Sequence, residues 1–89
     1  EQLISSIKKL PSTPGVYLFK DEHDQVVYVG KAKNLKNRLL QYVGRQGTDI
    51  KVDTIFDASA SLEHIVTPTE LEAMLLEAQL IKSYQPVCN

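Results

Sequence analysis

The sequence is poor in the residues that stabilise small domains through covalent bonds or zinc. Cys88 is the only cysteine, and it lies far along the chain from the only two histidines, His23 and His64. This set cannot form an internal disulfide and does not have the spacing of a zinc site. A chain of 89 residues can bury one hydrophobic core and no more. We therefore predict a single domain over residues 1–89 that packing alone holds together.

Long apolar runs are also missing. The longest runs have four or five residues, whereas a membrane helix needs about 20. No charged segment leads into a signal-like apolar run. We therefore expect a soluble, cytoplasmic domain with no membrane partner. The sequence opens on Glu1 rather than Met and closes just after a Tyr-Gln-Pro turn, which predicts a segment of a longer protein.

The charge is divided unevenly along the chain. Residues 1–51 contain nine of the ten basic residues and five of the eleven acidic ones, while the net charge of the whole is only −1. Between residues 26 and 45 there are five basic residues, no acidic residue and two tyrosines. Such a surface can hold a phosphate backbone, although solvated charge alone is the common interpretation. The five basic residues are Lys31, Lys33, Lys36, Arg38 and Arg45.

The order of predicted elements indicates an α/β domain of the α+β kind, in which helices flank a small, largely antiparallel sheet. A short amphipathic helix is predicted before the proline-containing segment 11–14. Residues 16–19 and 26–29 are predicted strands, joined by a polar turn. Weaker patterns predict a helix over 50–58 and a strand over 62–66.

The register of the predicted hairpin follows from counting. If Asp21 faces Asp24 across the turn, two phenols lie on one face of the sheet. The opposed pairs are then Tyr17 with Tyr28, Gly15 with Gly30, and Phe19 with Val26.

Two later helices have capping signals. Asn34 is the predicted N-cap of a helix that Gly44 ends. The final helix is predicted over residues 68–83, with Thr67 at the N-cap, Pro68 in the first turn and Glu70 completing a capping box.

Glu77 is the most informative acidic residue. On a helix its neighbours three and four residues away are all apolar, so we predict that it projects from a largely buried face. A carboxylate there needs hydrogen bonds, a cation or a metal. A structural ion pair with Arg38 or a lysine and a site for one hard divalent ion both remain open.

The tyrosine pair also has two interpretations. Aromatic pairs across a hairpin commonly pack without further function. Alternatively, Gly15 and Gly30 leave a notch beside Tyr17 and Tyr28, and nearby cations would lower the pKa of a phenol there. A phosphate-binding loop at Gly30 is excluded, because its glycine and Ser/Thr positions are not matched.

The triplets Gly-Val-Tyr at 15–17 and Tyr-Val-Gly at 28–30, ten residues apart, resemble the signature of the GIY-YIG nucleases. In that family an arginine follows on the next helix, matched by Arg38, and a metal-binding glutamate lies on a later helix, matched by Glu77. The segment around Lys31 and the stretch from Glu72 to Asn89 are similar to the excinuclease branch of the family. The resemblance spans residues 11–89.

The resemblance implies an endonuclease that uses one divalent cation, Mg²⁺ or Mn²⁺, to cut damaged double-stranded DNA on the 3′ side of a lesion in nucleotide excision repair. Glu77 would hold the metal, Tyr28 would be the general base, and Arg38 would stabilise charge on the phosphate. Lys31 and Tyr17 would position water or phosphate. The supporting residues would be Tyr42, Asn89 and Gly30, and the DNA-binding residues Lys31, Lys33, Lys36, Arg38 and Arg45.

The same resemblance implies a helicase-like partner, the excinuclease protein UvrB, bound through parts of a longer chain outside this segment. Family members commonly have a basic or aromatic pair before the final asparagine, where Val87 and Cys88 stand here. That departure puts local DNA contacts near Asn89 in doubt. A catalytically silent binding module, a stand-alone repair homologue and a homing endonuclease domain remain alternatives.

Overall fold

A computed structural model describes residues 2–89 as three strands and four helices. In chain order these are α1 (Gln2–Lys8), β1 (Gly15–Lys20), β2 (Val26–Ala32), α2 (Leu35–Gly44), α3 (Ile50–Ala58), β3 (Ser61–Val66) and α4 (Glu70–Tyr84). Every predicted element is present, including the two with weak sequence patterns. Within residues 2–89, no helix combines the length and apolarity needed to cross a bilayer.

The three strands form one antiparallel sheet in the order β2-β1-β3, which confirms the predicted fold class. Side chains of the central strand alternate between two cores. Tyr17 and Phe19 pack with apolar residues of α1, α2 and α3, whereas Val16 and Leu18 pack with α4. The sheet therefore lies between three helices on one face and α4 on the other.

The β1–β2 hairpin contains two irregularities that the sequence-based count missed. The Asp21 N–H donates to the Gln25 carbonyl (2.9 Å), and Asp24 adopts a left-handed φ of 63°, so the loop has one residue more than predicted. The pairing then shifts by one residue within the strands, which makes Val27 the extra residue of a β-bulge. Each irregularity moves the register by one position.

The predicted register is therefore wrong by two residues, but the predicted face is right. Tyr17 lies opposite Gly30, and Phe19 lies opposite Tyr28. Because side chains alternate with a period of two, a double shift leaves Tyr17 and Tyr28 on the same face of the sheet. The two phenols become diagonal neighbours instead of direct partners.

The start of α4 also differs from the prediction. Its N-cap is Thr69 and not Thr67, because the Thr69 hydroxyl accepts the Glu72 N–H at 3.2 Å. Thr69 and Glu72 have the same capping-box spacing two residues later in the chain. The Thr67 hydroxyl is buried and donates to the Thr69 carbonyl at 2.9 Å, which fixes the turn before the helix. The predicted N-cap of α2 is confirmed, since the Asn34 side chain accepts the Asn37 N–H at 3.0 Å.

Candidate active site

Three tyrosines from three elements meet on the face of the sheet that α2 and α3 cover. The hydroxyl oxygens of Tyr17 and Tyr42 are 2.7 Å apart, and their rings meet edge to face with centroids 5.7 Å apart. The Tyr28 ring lies 6.3 Å from that of Tyr17. Tyr17 is only 1% exposed, while Tyr28 is partly open to solvent. Tyr28 is therefore the more accessible of the two motif tyrosines.

The two motif glycines make close approaches and leave no open notch. A Cβ atom on Gly30 would overlap the Tyr17 ring, which crosses directly over this backbone position. A Cβ atom on Gly15 would overlap the Ile65 carbonyl of β3 and come within 2.8 Å of the Leu35 side chain. The predicted notch beside the tyrosines is thus filled by an aromatic ring and by neighbouring strand and helix atoms.

Burial, rather than nearby cations, dominates the acidity of the tyrosines. The pKa of Tyr28 is raised to about 12, first by burial, then by Tyr42 and by the Glu77 carboxylate, while the Lys51 ammonium acts in the opposite direction. Burial also raises the pKa of Tyr17 and raises that of Tyr42 to about 12. The expectation that these phenols have a lowered pKa is therefore wrong for the residues as they are placed.

Arg38 lies at the junction of two surface clefts. Its guanidinium carbon is 5.4 Å from the centroid of the Tyr42 ring, and its Nη1 donates to the Gln41 Oε1 at 3.3 Å. The larger cleft, about 440 Å³, is lined by Lys31, Ala32, Lys33, Arg38, Glu70, Leu71, Ala73 and Met74. The smaller, about 110 Å³, is lined by Tyr28, Arg38, Tyr42, Arg45, Asp49, Lys51, Val52 and Ile55.

The five basic residues predicted to bind DNA are available for an anion. None of them takes part in an ion pair within 4.0 Å among residues 2–89. Lys31, Lys33 and Arg38 line the larger cleft, and Arg38 and Arg45 line the smaller one. Lys36 is half-buried on α2 and lines neither of these two clefts.

Glu77 lies on the side of α4 that faces the sheet, one turn after the buried Ala73. The helix face around it is less buried than predicted, because Met74 is 46% exposed and Glu77 itself is half-buried. The ion-pair alternative does not hold in the described part of the chain, where no basic group lies within 4.0 Å of this carboxylate. Its charge acts on Tyr28, which places the two groups near each other.

These surroundings fit one hard divalent cation and no larger metal cluster. No group of three or more His, Cys, Asp or Glu side chains in residues 2–89 is arranged to share a metal. An ion such as Mg²⁺ is commonly held by one or two carboxylates, with water and substrate phosphate completing its shell. The half-buried Glu77 carboxylate, with basic side chains lining the clefts nearby, has the chemistry for that arrangement.

Asn89 acts on the outer edge of β2. Its Oδ1 accepts the Val29 N–H at 2.8 Å, and its Nδ2 donates to the Val29 carbonyl at 2.9 Å. The Cys88 N–H donates to the Val27 carbonyl at 2.9 Å in the same segment. The side chain thus pairs like one more strand residue with the strand that carries Tyr28.

Lys51 is a site residue that the sequence did not reveal. Its ammonium lies 5.3 Å from the centroid of the Tyr28 ring, and it lines the smaller cleft. Lys51 lies in the first turn of a helix with a weak sequence pattern, outside the basic segment 26–45. Its only sequence signal was its place just after the N-cap Asp49.

Known families contain close relatives of this chain. The model of the UvrC-like GIY-YIG domain matches residues 13–89. UvrABC system protein C of Chlamydia pneumoniae is 52% identical over 85 residues, and that of Clostridioides difficile is 49% identical over 84 residues. These alignments cover 94% and 93% of this chain. The chain spans only 14% of the length of each relative.

Solved structures agree with the sequence relatives. The GIY-YIG N-terminal endonuclease domain of UvrC from Thermotoga maritima, bound to magnesium as its catalytic cation, matches with a TM-score of 0.92 and 43% identity. That match covers 100% of this chain and 97% of the other. A variant of the same domain with an asparagine replaced by alanine, also bound to its catalytic cation, matches with a TM-score of 0.92 and 42% identity over 100% and 96% of the two chains. The resemblance drawn from the two triplets is confirmed, and this chain belongs to the family of UvrC-like GIY-YIG domains.

Proposed function

We propose that this domain is an endonuclease that hydrolyses a DNA phosphodiester bond with one divalent cation, Mg²⁺ or Mn²⁺, held by Glu77. The observation that supports the proposal most directly is the carboxylate of Glu77, which has no ion-pair partner among residues 2–89 and lies near Tyr28. The magnesium-bound relative from Thermotoga maritima has the same fold and 43% identity.

Each side chain has a proposed role that follows from its position. Glu77 would hold the cation, whose chemistry when bound is that of a Lewis acid toward a phosphate oxygen and the attacking water. Tyr28, the accessible phenol, would remove a proton from that water. Arg38 would stabilise negative charge on the phosphate, and Lys31 would position the phosphate from the larger cleft.

Tyr17 would act through its neighbours. Because it is 1% exposed and its hydroxyl bonds to that of Tyr42, its burial argues against direct contact with substrate. Tyr17 would fix the Tyr42 ring, which in turn supports the Arg38 guanidinium at 5.4 Å. This assignment changes the role implied by the family resemblance, which had Tyr17 contact water or phosphate.

The biological context is proposed from the relatives. Since those relatives are UvrABC system proteins, the substrate would be damaged double-stranded DNA cut on the 3′ side of the lesion during nucleotide excision repair. The helicase-like protein UvrB would be the partner, bound by regions that the longer relatives contain. We expect a domain with this substrate and this partner to act in the cytoplasm.

Two cleavage assays test the proposal. In the first, the chain is incubated with supercoiled plasmid in Mg²⁺, Mn²⁺ or EDTA. In the second, residues 13–89 replace the matching region of the Chlamydia pneumoniae protein, which is assayed with its partner proteins on a lesion-bearing duplex. We expect nicking in either metal and none in EDTA, and 3′ incision by the chimera. A folded chimera that binds DNA but makes no 3′ incision, while the parent protein does, would favour a silent binding module.

A further inference from the structure

The smaller cleft contains more positive charge than the proposed reaction uses. Three cations from different parts of the chain line it, namely Arg38, Arg45 and Lys51, and none of them has an ion-pair partner within residues 2–89. The phenols of Tyr28 and Tyr42 form its aromatic wall. Arg38 is also shared with the larger cleft, so the recess is contiguous with the proposed reaction site.

The one acidic residue that lines this recess in the described part of the chain is already occupied. The Asp49 Oδ1 accepts the Lys51 N–H at 3.0 Å and the Val52 N–H at 3.3 Å, as the N-cap of α3. A carboxylate that caps a helix is directed at backbone amides. The recess therefore offers an anion three side-chain cations, opposed by one carboxylate that is engaged elsewhere.

The volume of the recess limits what can enter it. At about 110 Å³ it holds the equivalent of roughly four water molecules at about 30 Å³ each. That space suits a phosphate group and is too small for a nucleoside, since sites for larger ligands begin at roughly 300 Å³. The Lys51 ammonium, 5.3 Å from the centroid of the Tyr28 ring, is held beside the recess by a cation–π contact.

We propose that Arg45 and Lys51, with Arg38, bind a second DNA phosphate that neighbours the one being cut, on the Tyr28 side of the site. The inference rests on the proposed nuclease function and adds a binding subsite to it. Arg38 then lies between two phosphates of one strand, and Lys51 fixes the strand at the position where Tyr28 acts. The ligand is a backbone phosphate, so the contact is independent of base sequence.

Neutral phosphate analogues test this subsite directly. A set of duplexes would each contain one methylphosphonate near the cleavage site, and binding would be measured by fluorescence anisotropy in EDTA. For wild type, neutralising the neighbouring phosphate should weaken binding about tenfold, as expected when a charge-assisted contact is lost. Lys51→Met should weaken binding to native DNA by a similar factor and abolish the penalty of that one methylphosphonate. The slope of log affinity against log salt should also fall by about 1.

Two variants serve as matched controls. Lys51→Arg keeps the charge and should keep the methylphosphonate penalty. Lys82→Met removes a lysine from the last turn of α4, remote from the recess in the chain, and should leave the penalty unchanged. Circular dichroism of each variant establishes that it is folded.

The possible results separate this subsite from the nuclease proposal. If the penalties of Lys51→Met and of every methylphosphonate are additive, or if wild type does not bind DNA in EDTA, the subsite is wrong. It is also wrong if Lys51→Met changes only kcat and its pH dependence while affinity stays constant, since Lys51 would then act through Tyr28 alone. Cleavage by wild type in Mg²⁺ is scored separately, so additive penalties in an active nuclease overturn only the subsite.

Discussion

The two triplets that define the site are explained by single-atom contacts. Gly30 is required because the Tyr17 ring occupies the space that a side chain would need. The ring of an aromatic residue thus covers the glycine on the neighbouring strand, an arrangement that compensates for a missing side chain in a sheet. It also aims the Tyr17 hydroxyl at Tyr42, which is 2.7 Å away. A glycine and a tyrosine on neighbouring strands therefore act as one packing unit.

Replacing Gly30 with alanine tests this packing unit. The added methyl group must displace the buried Tyr17 ring, and we expect the free energy of unfolding to fall by about 1–3 kcal/mol. Urea denaturation measures the change. Gly44→Ala is the matched control, because a Cβ atom there meets nothing within 4 Å, and an alanine in a helix should stabilise by about 0.5–1 kcal/mol. Equal stability of Gly30→Ala and wild type would contradict the packing argument.

The raised pKa of Tyr28 gives the proposed general base a distinctive pH dependence. Below a pKa of about 12, the phenolate fraction grows tenfold with each pH unit. If Tyr28 removes the proton, the cleavage rate should rise with pH and reach no plateau below about pH 9. Tyr28→Phe should lower kcat by about 10² to 10⁴. A pH–rate profile of the phenylalanine variant that keeps the wild-type slope and most of the activity would show that another group is the base.

At the scale of elements, the edge of the sheet is closed by a side chain. β2 is an edge strand, and unpaired edges are a hazard that proteins cover. Asn89 supplies one donor and one acceptor to Val29, so its amide mimics the backbone of a fourth strand. This role holds the segment after α4 against the strand that contains Tyr28. Both amide groups are used, which leaves little capacity for a contact with DNA.

Hydrogen exchange should detect this edge contact. In Asn89→Ala the Val29 amide loses its acceptor, and we expect its exchange in NMR to accelerate by at least about tenfold, as for a solvent-exposed amide. Asn89→Asp keeps the acceptor oxygen, so the Val29 amide should stay protected in that variant. Unchanged exchange at Val29 in the alanine variant would mean that the clamp is not formed in solution.

Element identity could be predicted from local patterns, but element pairing could not. All four helices and three strands follow from periodicity, turn residues and caps. The hairpin register failed because Asp24 can adopt φ 63° and Val27 can bulge without any residue-type signal in the sequence. The α4 N-cap failed because two overlapping capping motifs compete, and the buried hydroxyl of Thr67 decides between them.

At the scale of the whole molecule, the distribution of charge matters more than its sum. The net charge is −1, yet the five basic residues of the 26–45 segment are free of ion pairs among residues 2–89. The sequence could predict that segment, together with Glu77 and both motif tyrosines. It could not reveal Lys51, because only the packing of α3 brings that residue over Tyr28. It also could not give the direction of the tyrosine pKa shifts, which depends on burial.

The central claim is that Glu77 holds the cation on which cleavage depends. The most direct measurement is plasmid nicking by Glu77→Gln, a variant that removes the charge with little change in shape, in Mg²⁺, Mn²⁺ and EDTA. Glu22→Gln, in the exposed β1–β2 loop, is the control for the loss of one carboxylate. We expect Glu77→Gln to remain folded and to lose at least about 10³-fold in rate in both metals, whereas Glu22→Gln cleaves like wild type. Wild-type nicking by a folded Glu77→Gln protein at the same metal concentrations would contradict the account.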